Sequence, residues 1–211
     1  MNTQPRHVMA IESAVCGGSI SLQKNGSEIA NWIGLSDVSK AEDLLVNIAA
    51  ILKENNVSRD MIDMIAVSAG PGSFTGIRIG IATALGLKSG LRIEMSTESA
   101  LKAMAYEMAN IKPVIAAVPT GRNWVCLQTF QNNAGDVAAL DEPRTLADED
   151  FFQFVSTERT TTFVLHESLY RKFASSTTIT NFGANIAYAI GKICQQNPGA
   201  ATSPLFISKS V

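Results

Sequence analysis

Histidine and cysteine are scarce in this sequence, with two and three residues among 211. His7 and His166 stand far apart, so they lack the helical spacing by which two imidazoles reach one ion from the same face. A glycoprotease-type metal centre is therefore not expected, and each histidine reads as structural or exposed. The same scarcity speaks against a Ser-His-Asp or Cys-His centre at Ser73 or Cys16, because either nucleophile needs a base within reach. Cys16, Cys126 and Cys194 are odd in number, widely spaced and free of C-x-x-C, which argues against a disulfide framework or structural zinc site. A reducing cytoplasm is the simplest location.

Charge of one sign is not in excess either. Lys and Arg number 17 against 19 Asp and Glu, so no whole-molecule field draws a polyanion. If RNA is involved, another component is expected to hold it. The first ten residues include Arg6 and His7 but no apolar stretch of secretory length, and polar residues interrupt every later run before about 18 positions. Neither an export signal nor a membrane span is expected.

What is present is a globular composition, 46% hydrophobic, enough for one good core or two small ones. His7 to Glu12, Gly18 to Lys24 and Glu28 to Leu35 read as three antiparallel strands, the last two joined by the hairpin pair Asn25-Gly26. Ser39 is the expected cap of a helix running to about Asn55, with Leu44, Leu45, Ile48, Ile51 and Leu52 on one stripe. A strand from Met61 to Ser68, a bend at Gly70 to Ser73, and a helix from Phe74 to Ser89 capped by Gly90 follow. Leu91 to Met95 is strand-like, and Thr97 is the expected cap of a helix carrying Leu101, Met104, Ala105 and Met108. The order is βββαβαβα.

The pattern resets around Asn110 to Pro113. Strands are expected at Val114 to Val118, Trp124 to Phe130, near Val137, and at Thr162 to Leu165, with a turn at Asn132 to Gly135. Helices are expected at about Asp148 to Val155, capped by acids, and at Gly183 to Gln196, and the tail Pro204 to Ser208 is a candidate to close a sheet edge. Two similar units in tandem, 1–110 and 111–211, suggest a duplicated α/β architecture rather than one Rossmann sheet.

The stretch from Ala66 to Ala82 holds most of the information. A phosphate loop is one reading, since glycines and a helix amino terminus present free N-H groups. Yet G-x-x-x-x-G-K-[ST] is absent, and Gly70-x-Gly72-x-x-x-Gly76 misses G-x-G-x-x-G by one residue. A tight turn leading to a buried helix is the second reading. The third is an interface helix, because Ile77, Ile79, Ile81, Leu85 and Leu87 point in several directions and only Arg78 and Lys88 are charged. Gly76, Gly80 and Ala84 recur every four residues, a small-residue stripe that admits another helix at close range. The partner surface expected from this reading comprises Leu45, Ile48 and Leu52 with Phe74, Ile77, Gly80, Ile81 and Ala84. Trp124, Phe130 and Arg122 invite comparison with a base-stacking platform, but no basic cluster surrounds them, which favours core packing.

Residues 69 to 80, AGPGSFTGIRIG, closely resemble the signature of the TsaB family, relatives of TsaD and the so-called glycoprotease group in the actin-like ATPase superfamily. The resemblance extends to Ala10-Ile-Glu12, the helix at Leu44 to Leu52, Ser96-Thr97, Thr120 to Asn123 and the tail at Pro204 to Ser208. It implies two tandem ribonuclease-H-like halves and a non-catalytic role. Such proteins pair with TsaD, which forms N6-threonylcarbamoyladenosine beside the anticodon of tRNAs reading codons that begin with A, and TsaE joins the pair. It further implies no cofactor of its own, only indirect contact with tRNA, and self-association when the partner is absent. An ATPase or ATP-dependent phosphotransferase of the same fold is the rival. The superfamily's strand-end Asp is replaced here by Glu12 with no glycine after it, and Thr120 stands where relatives often carry an acid.

Overall fold

Asn25 and Gly26 both take positive φ, 49° and 81°, the conformation a two-residue hairpin needs to follow strand twist. They join β2 (Ser19–Lys24) to β3 (Ser27–Ile33), and β2 runs antiparallel to β1 (His7–Glu12). The computed structural model describes residues 7–15, 17–34, 43–108, 113–133, 136–158, 161–172 and 179–205. β4 (Met64–Ser68) lies parallel to β1, and β5 (Glu94–Glu98) parallel to β4, giving a sheet ordered β3-β2-β1-β4-β5.

The second sheet repeats this plan. β6 (Val114–Pro119) is its central strand, with β7 (Trp124–Asn133) and β8 (Asp136–Ala139) antiparallel on one side. β10 (Thr162–His166) and β11 (Ile179–Gly183) lie parallel on the other, in the order β11-β10-β6-β7-β8. β7 is long enough to serve two partners. Phe130 to Asn133 pair with β8, and Trp124 to Leu127 pair with β9 (Arg144–Ala147). Between them Asp141 accepts from the Thr129 amide and hydroxyl at 2.7 and 2.8 Å. Each half has the duplicated α/β plan read from the pattern, in the ribonuclease-H-like arrangement that the family resemblance implies.

Six α-helices and a 3-10 turn at Arg59–Met61 complete the described chain: α1 (Leu44–Glu54), α2 (Phe74–Leu91), α3 (Ala100–Tyr106), α4 (Asp148–Thr157), α5 (Glu167–Tyr170) and α6 (Ile186–Gln196). Both faces of β1 are buried, so the apolar run His7 to Glu12 must be covered twice. Met9 and Ile11 meet the layer of α1 and α2, while Val8 and Ala10 meet α6. On the second sheet Ile115, Ala117 and Phe163 meet α4 and α5 residues. Val114, Ala116 and Phe130 point the opposite way, toward α3. The central layer is therefore crossed: α3 of the first half covers the second sheet, and α6 of the second half covers the first.

Polar contacts fix that crossing. Gln23 donates to the Tyr188 carbonyl at 2.9 Å, Gln195 donates to Gln23, and the Ser19 hydroxyl accepts from the Ala187 amide. Gly191 is where α6 comes nearest, since a β-carbon there would stand 3.0 Å from that of Ala10 and overlap the Gln23 amide. On the other side Asn132, fully buried, donates to the Ala105 and Tyr106 carbonyls and so satisfies the open end of α3.

Several helix boundaries differ from expectation. The first described residue beside α1 is Asp43, at its N-cap position without a side-chain cap bond; Ser39 lies outside the described residues. Gly90 is inside α2, and Arg92 at φ 57° terminates it. Thr97 belongs to β5, whereas Ser99 caps α3 by accepting from the Lys102 amide. Gly183 ends β11, and Asn185 caps α6. α4 begins with Asp148, Glu149 and Asp150 in its first turn, yet no side chain caps it. β9, α5 and β11 have no counterpart in the sequence reading. Through Leu205, the last described residue, the tail runs beside β5 without strand assignment: Thr97 donates its amide to Ala200, and Leu205 donates to Ala69. Residues 109–112, 134–135 and 206–208, to which parts of the boundary, turn and tail expectations refer, lie outside the description.

Candidate partner-binding site

The glycine-rich bend is held by its own backbone. The Gly70 amide donates to Ser68 Oγ, the Ala69 amide to the Glu98 carbonyl, and the Ala100 amide to the Gly70 carbonyl. The Ser73 amide donates to the Ala14 carbonyl at 2.7 Å, and Ser73 Oγ caps α2 by accepting from Gly76. The amides of 69, 70, 73 and 76 are thus engaged within the chain. A cleft of about 330 Å³ beside the bend is lined by Gly72, Ser73, Phe74, Thr75, Thr120, Gly121, Trp124 and Thr145, none of them charged.

The small-residue stripe faces inward. A β-carbon on Gly76 would overlap the Ser13 carbonyl, and one on Gly80 would overlap Ser13 Oγ. Ala84 is fully buried and Ile77 is 1% exposed. The expectation that Gly80, Ala84 and Ile77 meet a partner is thus corrected: Gly80 is covered by Ser13 in the turn after β1, and Ala84 and Ile77 are buried within the same chain. Ile48 is also buried, on the inner face of α1. Phe74 and Leu45 are open at 50% and 57% exposure, while Leu52 and Ile81 are half-buried.

The outer surface of the two helices carries Val46 at 69% exposure, which the sequence reading did not name, and Leu85 at 47%, named there on the helix but not in the partner surface. It also carries a second small-residue row, Ala82, Gly86 and Gly90, all exposed, the two glycines with nothing within 4 Å of a β-carbon position. This row is offset by two residues from Gly80, Ala84 and Lys88, which on a helix of 3.6 residues per turn is about 200° away, the opposite face. Its spacing was visible, but spacing alone does not say which row points outward. Beside it lies an open cleft of about 420 Å³ with Met9, Ile48, Leu52, Ile62, Ile65 and Leu87 in its wall and Arg59 and Asp60 at its rim. Every charge on α2 is basic, and the Arg78 guanidinium lies 3.7 Å over the Phe74 ring.

Other candidate groups are dispersed. Glu12 is 1% exposed, and its Oε1 accepts from the Ala14 and Val15 amides at 2.6 and 3.0 Å. Burial pushes its carboxyl up to about 7, against the pull of those two donors. His7 and His166 are both buried, on different sheets. His166 Nδ1 caps α5 by accepting from the Ser168 amide, and burial pulls the ring down to about 4, leaving it neutral. Cys126 and Cys194 are buried and pushed up to about 12; Cys16 lies outside the described residues. Phe130 is core, whereas Trp124 is half-buried and lines the smaller cleft, with Arg122 exposed. Among the described residues, no group of three His, Cys, Asp or Glu could hold a metal, and no helix is long and apolar enough to cross a membrane.

With that geometry in place, the similarities to known proteins are specific. A tRNA threonylcarbamoyladenosine biosynthesis protein TsaB from Escherichia coli (strain K12) is 35% identical over 133 residues, covering 62% of this chain and 57% of that protein. One of the same name from Buchnera aphidicola is 36% identical over 94 residues, 43% of this chain and 42% of that one. The chain thus matches about half the length of these curated relatives. Among solved structures, YeaZ from Pseudomonas aeruginosa superposes with a TM-score of 0.66 at 19% identity, covering 90% of this chain and 92% of its own. A second Pseudomonas aeruginosa protein, described as similar to peptidase YEAZ, gives 0.68 at 17% identity over 96% and 99%. These two share the fold. The family described as TsaD: tRNA N6-adenosine threonylcarbamoyltransferase matches residues 37–194, most of the chain, and to that family this protein belongs.

Proposed function

We propose that this chain is a non-catalytic subunit that binds a TsaD partner and supports it in forming N6-threonylcarbamoyladenosine beside the anticodon of tRNAs reading codons that begin with A. The observation that carries the reading is the outer side of α1 and α2, where Leu45, Val46, Phe74 and Leu85 stand exposed in a chain of this family. Scattered surface hydrophobes are ordinary, but four large ones on two neighbouring helices are the kind of anchor that a helical partner covers. TsaE joins the complex, and without TsaD the same face supports self-association. The chain works in the cytoplasm, requires no cofactor of its own and contacts tRNA only through its partners.

The supports for a non-catalytic role are the dispersed histidines, the hydrogen-bonded Glu12 and the engagement of the 69, 70, 73 and 76 amides within the chain. The rival reading, an ATPase of the same fold, requires the isolated chain to bind ATP-Mg and turn it over. Co-expression with TsaD from the same source, followed by size-exclusion chromatography with light scattering, is the test. A stable heterodimer and no ATP turnover by the isolated chain are expected. Failure to associate, or turnover that survives repurification, would overturn the proposal.

A further inference from the structure

We infer that Glu12 is a positioning residue: by holding the amides of Ala14 and Val15 it shapes the turn on which the first half of α2 rests, and so sets where the outer face of that helix points. The link to partner binding rests on the reading proposed above.

The chain of contacts is continuous. Glu12 ends β1 fully buried, and one carboxyl oxygen accepts both amides. This closes the turn so that the Ala14 carbonyl accepts from the Ser73 amide, while the Ser13 hydroxyl donates to the Gly76 carbonyl at 2.9 Å. Ser13 and Ala14 then occupy the space that β-carbons at Gly72, Gly76 and Gly80 would fill. Three glycines over nine positions are thus matched to two residues whose conformation Glu12 secures. A helix seated this closely has little freedom to slide, since a shift of a few tenths of an ångström meets backbone atoms. Glu12 makes no described contact with α2 itself, so its influence passes through the turn.

Hydrogen exchange by mass spectrometry on the full chain, with calorimetry against TsaD, separates the alternatives. Glu12→Ala removes the acceptor; Glu12→Gln keeps one carbonyl oxygen for both amides. In a folded Glu12→Ala protein, amides of residues 77 to 81 are expected to exchange about tenfold faster than in the parent, while those of α4 stay within about twofold. Glu12→Gln should restore exchange at 77 to 81 to within about threefold of the parent, whereas Glu12→Met, which restores the volume without an acceptor oxygen, should not. If Glu12→Ala does not fold, Ser13→Ala, which cuts the hydroxyl bond to Gly76 and leaves the turn, is expected to accelerate the same amides and no others. Unchanged exchange at 77 to 81 in a folded Glu12→Ala or Ser13→Ala protein overturns the inference. Faster exchange at these amides with undiminished TsaD affinity keeps Glu12 as the positioner of α2 and refutes the partner reading instead.

Discussion

Ser13 donates its hydroxyl to the Gly76 carbonyl at 2.9 Å, and its own carbonyl stands where a β-carbon on Gly76 would have to go. Each glycine of α2 therefore has a different worth, set by what faces it. Gly76→Ala meets backbone atoms of Ser13 and Ala14, which cannot rotate aside, and is expected to cost about 1–3 kcal/mol or more despite the gain in helix propensity. Gly80→Ala displaces only the Ser13 hydroxyl and should cost less. Gly86→Ala faces open space and should stabilise by roughly 0.5–1 kcal/mol. Urea denaturation of the three variants gives the ranking; a Gly76→Ala protein as stable as Gly86→Ala contradicts the seat described here. By the same reasoning Gly80→Arg should unfold the first half rather than spare it.

Asn132 ties the two halves through a different device. Its buried amide serves two terminal carbonyls of α3, so Asn132→Leu leaves both without a donor in a dry layer. A loss of about 1–3 kcal/mol is expected for the stranded acceptors. Asn132→Asp should be worse, because a carboxylate presents lone pairs where donors are needed. Thermal melting at constant buffer decides the order, and a neutral Asn132→Asp substitution would remove Asn132 from the cap.

The pH dependence of stability carries two opposing signs. Burial raises Glu12 from 4.5 to about 7, so its contribution is complete below 4.5 and is lost as pH rises through about 7. Burial lowers His166 from 6.5 to about 4, so its contribution is complete above 6.5 and is lost as pH falls through about 4. Between 4.5 and 6.5 the slopes oppose, and these two groups together should leave the parent nearly flat. Glu12→Gln removes one of them, so the variant's stability should climb with pH across that window. Urea midpoints at three pH values in the window test this. Parallel profiles for parent and variant mean that Glu12 does not titrate between its folded and unfolded values.

What the sequence made legible were features specified locally. The Asn25-Gly26 pair, the apolar run of β1 and the small-residue bend before α2 each name their own conformation, and the duplicated strand pattern follows from them. Caps were less certain because Thr97 and Ser99 are chemically interchangeable as helix starts. The choice falls to Ser99 since the Thr97 hydroxyl bonds Thr202 at the sheet edge, a partner 105 positions away. β9 and β11, four and five residues long, are too short to show a period. The crossing of α3 and α6 was out of reach, because the apolar face of α6 fits either sheet until Gln23 and Ser19 select one. The candidate surface failed for a related reason: Gly76-Gly80-Ala84 and Ala82-Gly86-Gly90 have the same spacing, and only Ser13, sixty-three positions from Gly76, decides which is covered.

That division between covered and open rows yields the sharpest contrast for the partner face. Leu85 and Val46 are 47% and 69% exposed, so Leu85→Glu and Val46→Glu should change folding stability by no more than about 0.5 kcal/mol, as surface substitutions do. Against a helical partner the same changes place a charge in a desolvated contact and should weaken association by about 2 kcal/mol or more each, roughly thirtyfold. Ile48→Ala is the control of opposite character. At 4% exposure it should cost about 2–5 kcal/mol of folding while touching no partner directly. Melting curves and calorimetric titration with TsaD, run on all three variants, separate the outcomes. Leu85→Glu and Val46→Glu proteins that fold normally and still bind with parental affinity would exclude the α1–α2 face as the interface, whichever partner the chain proves to have.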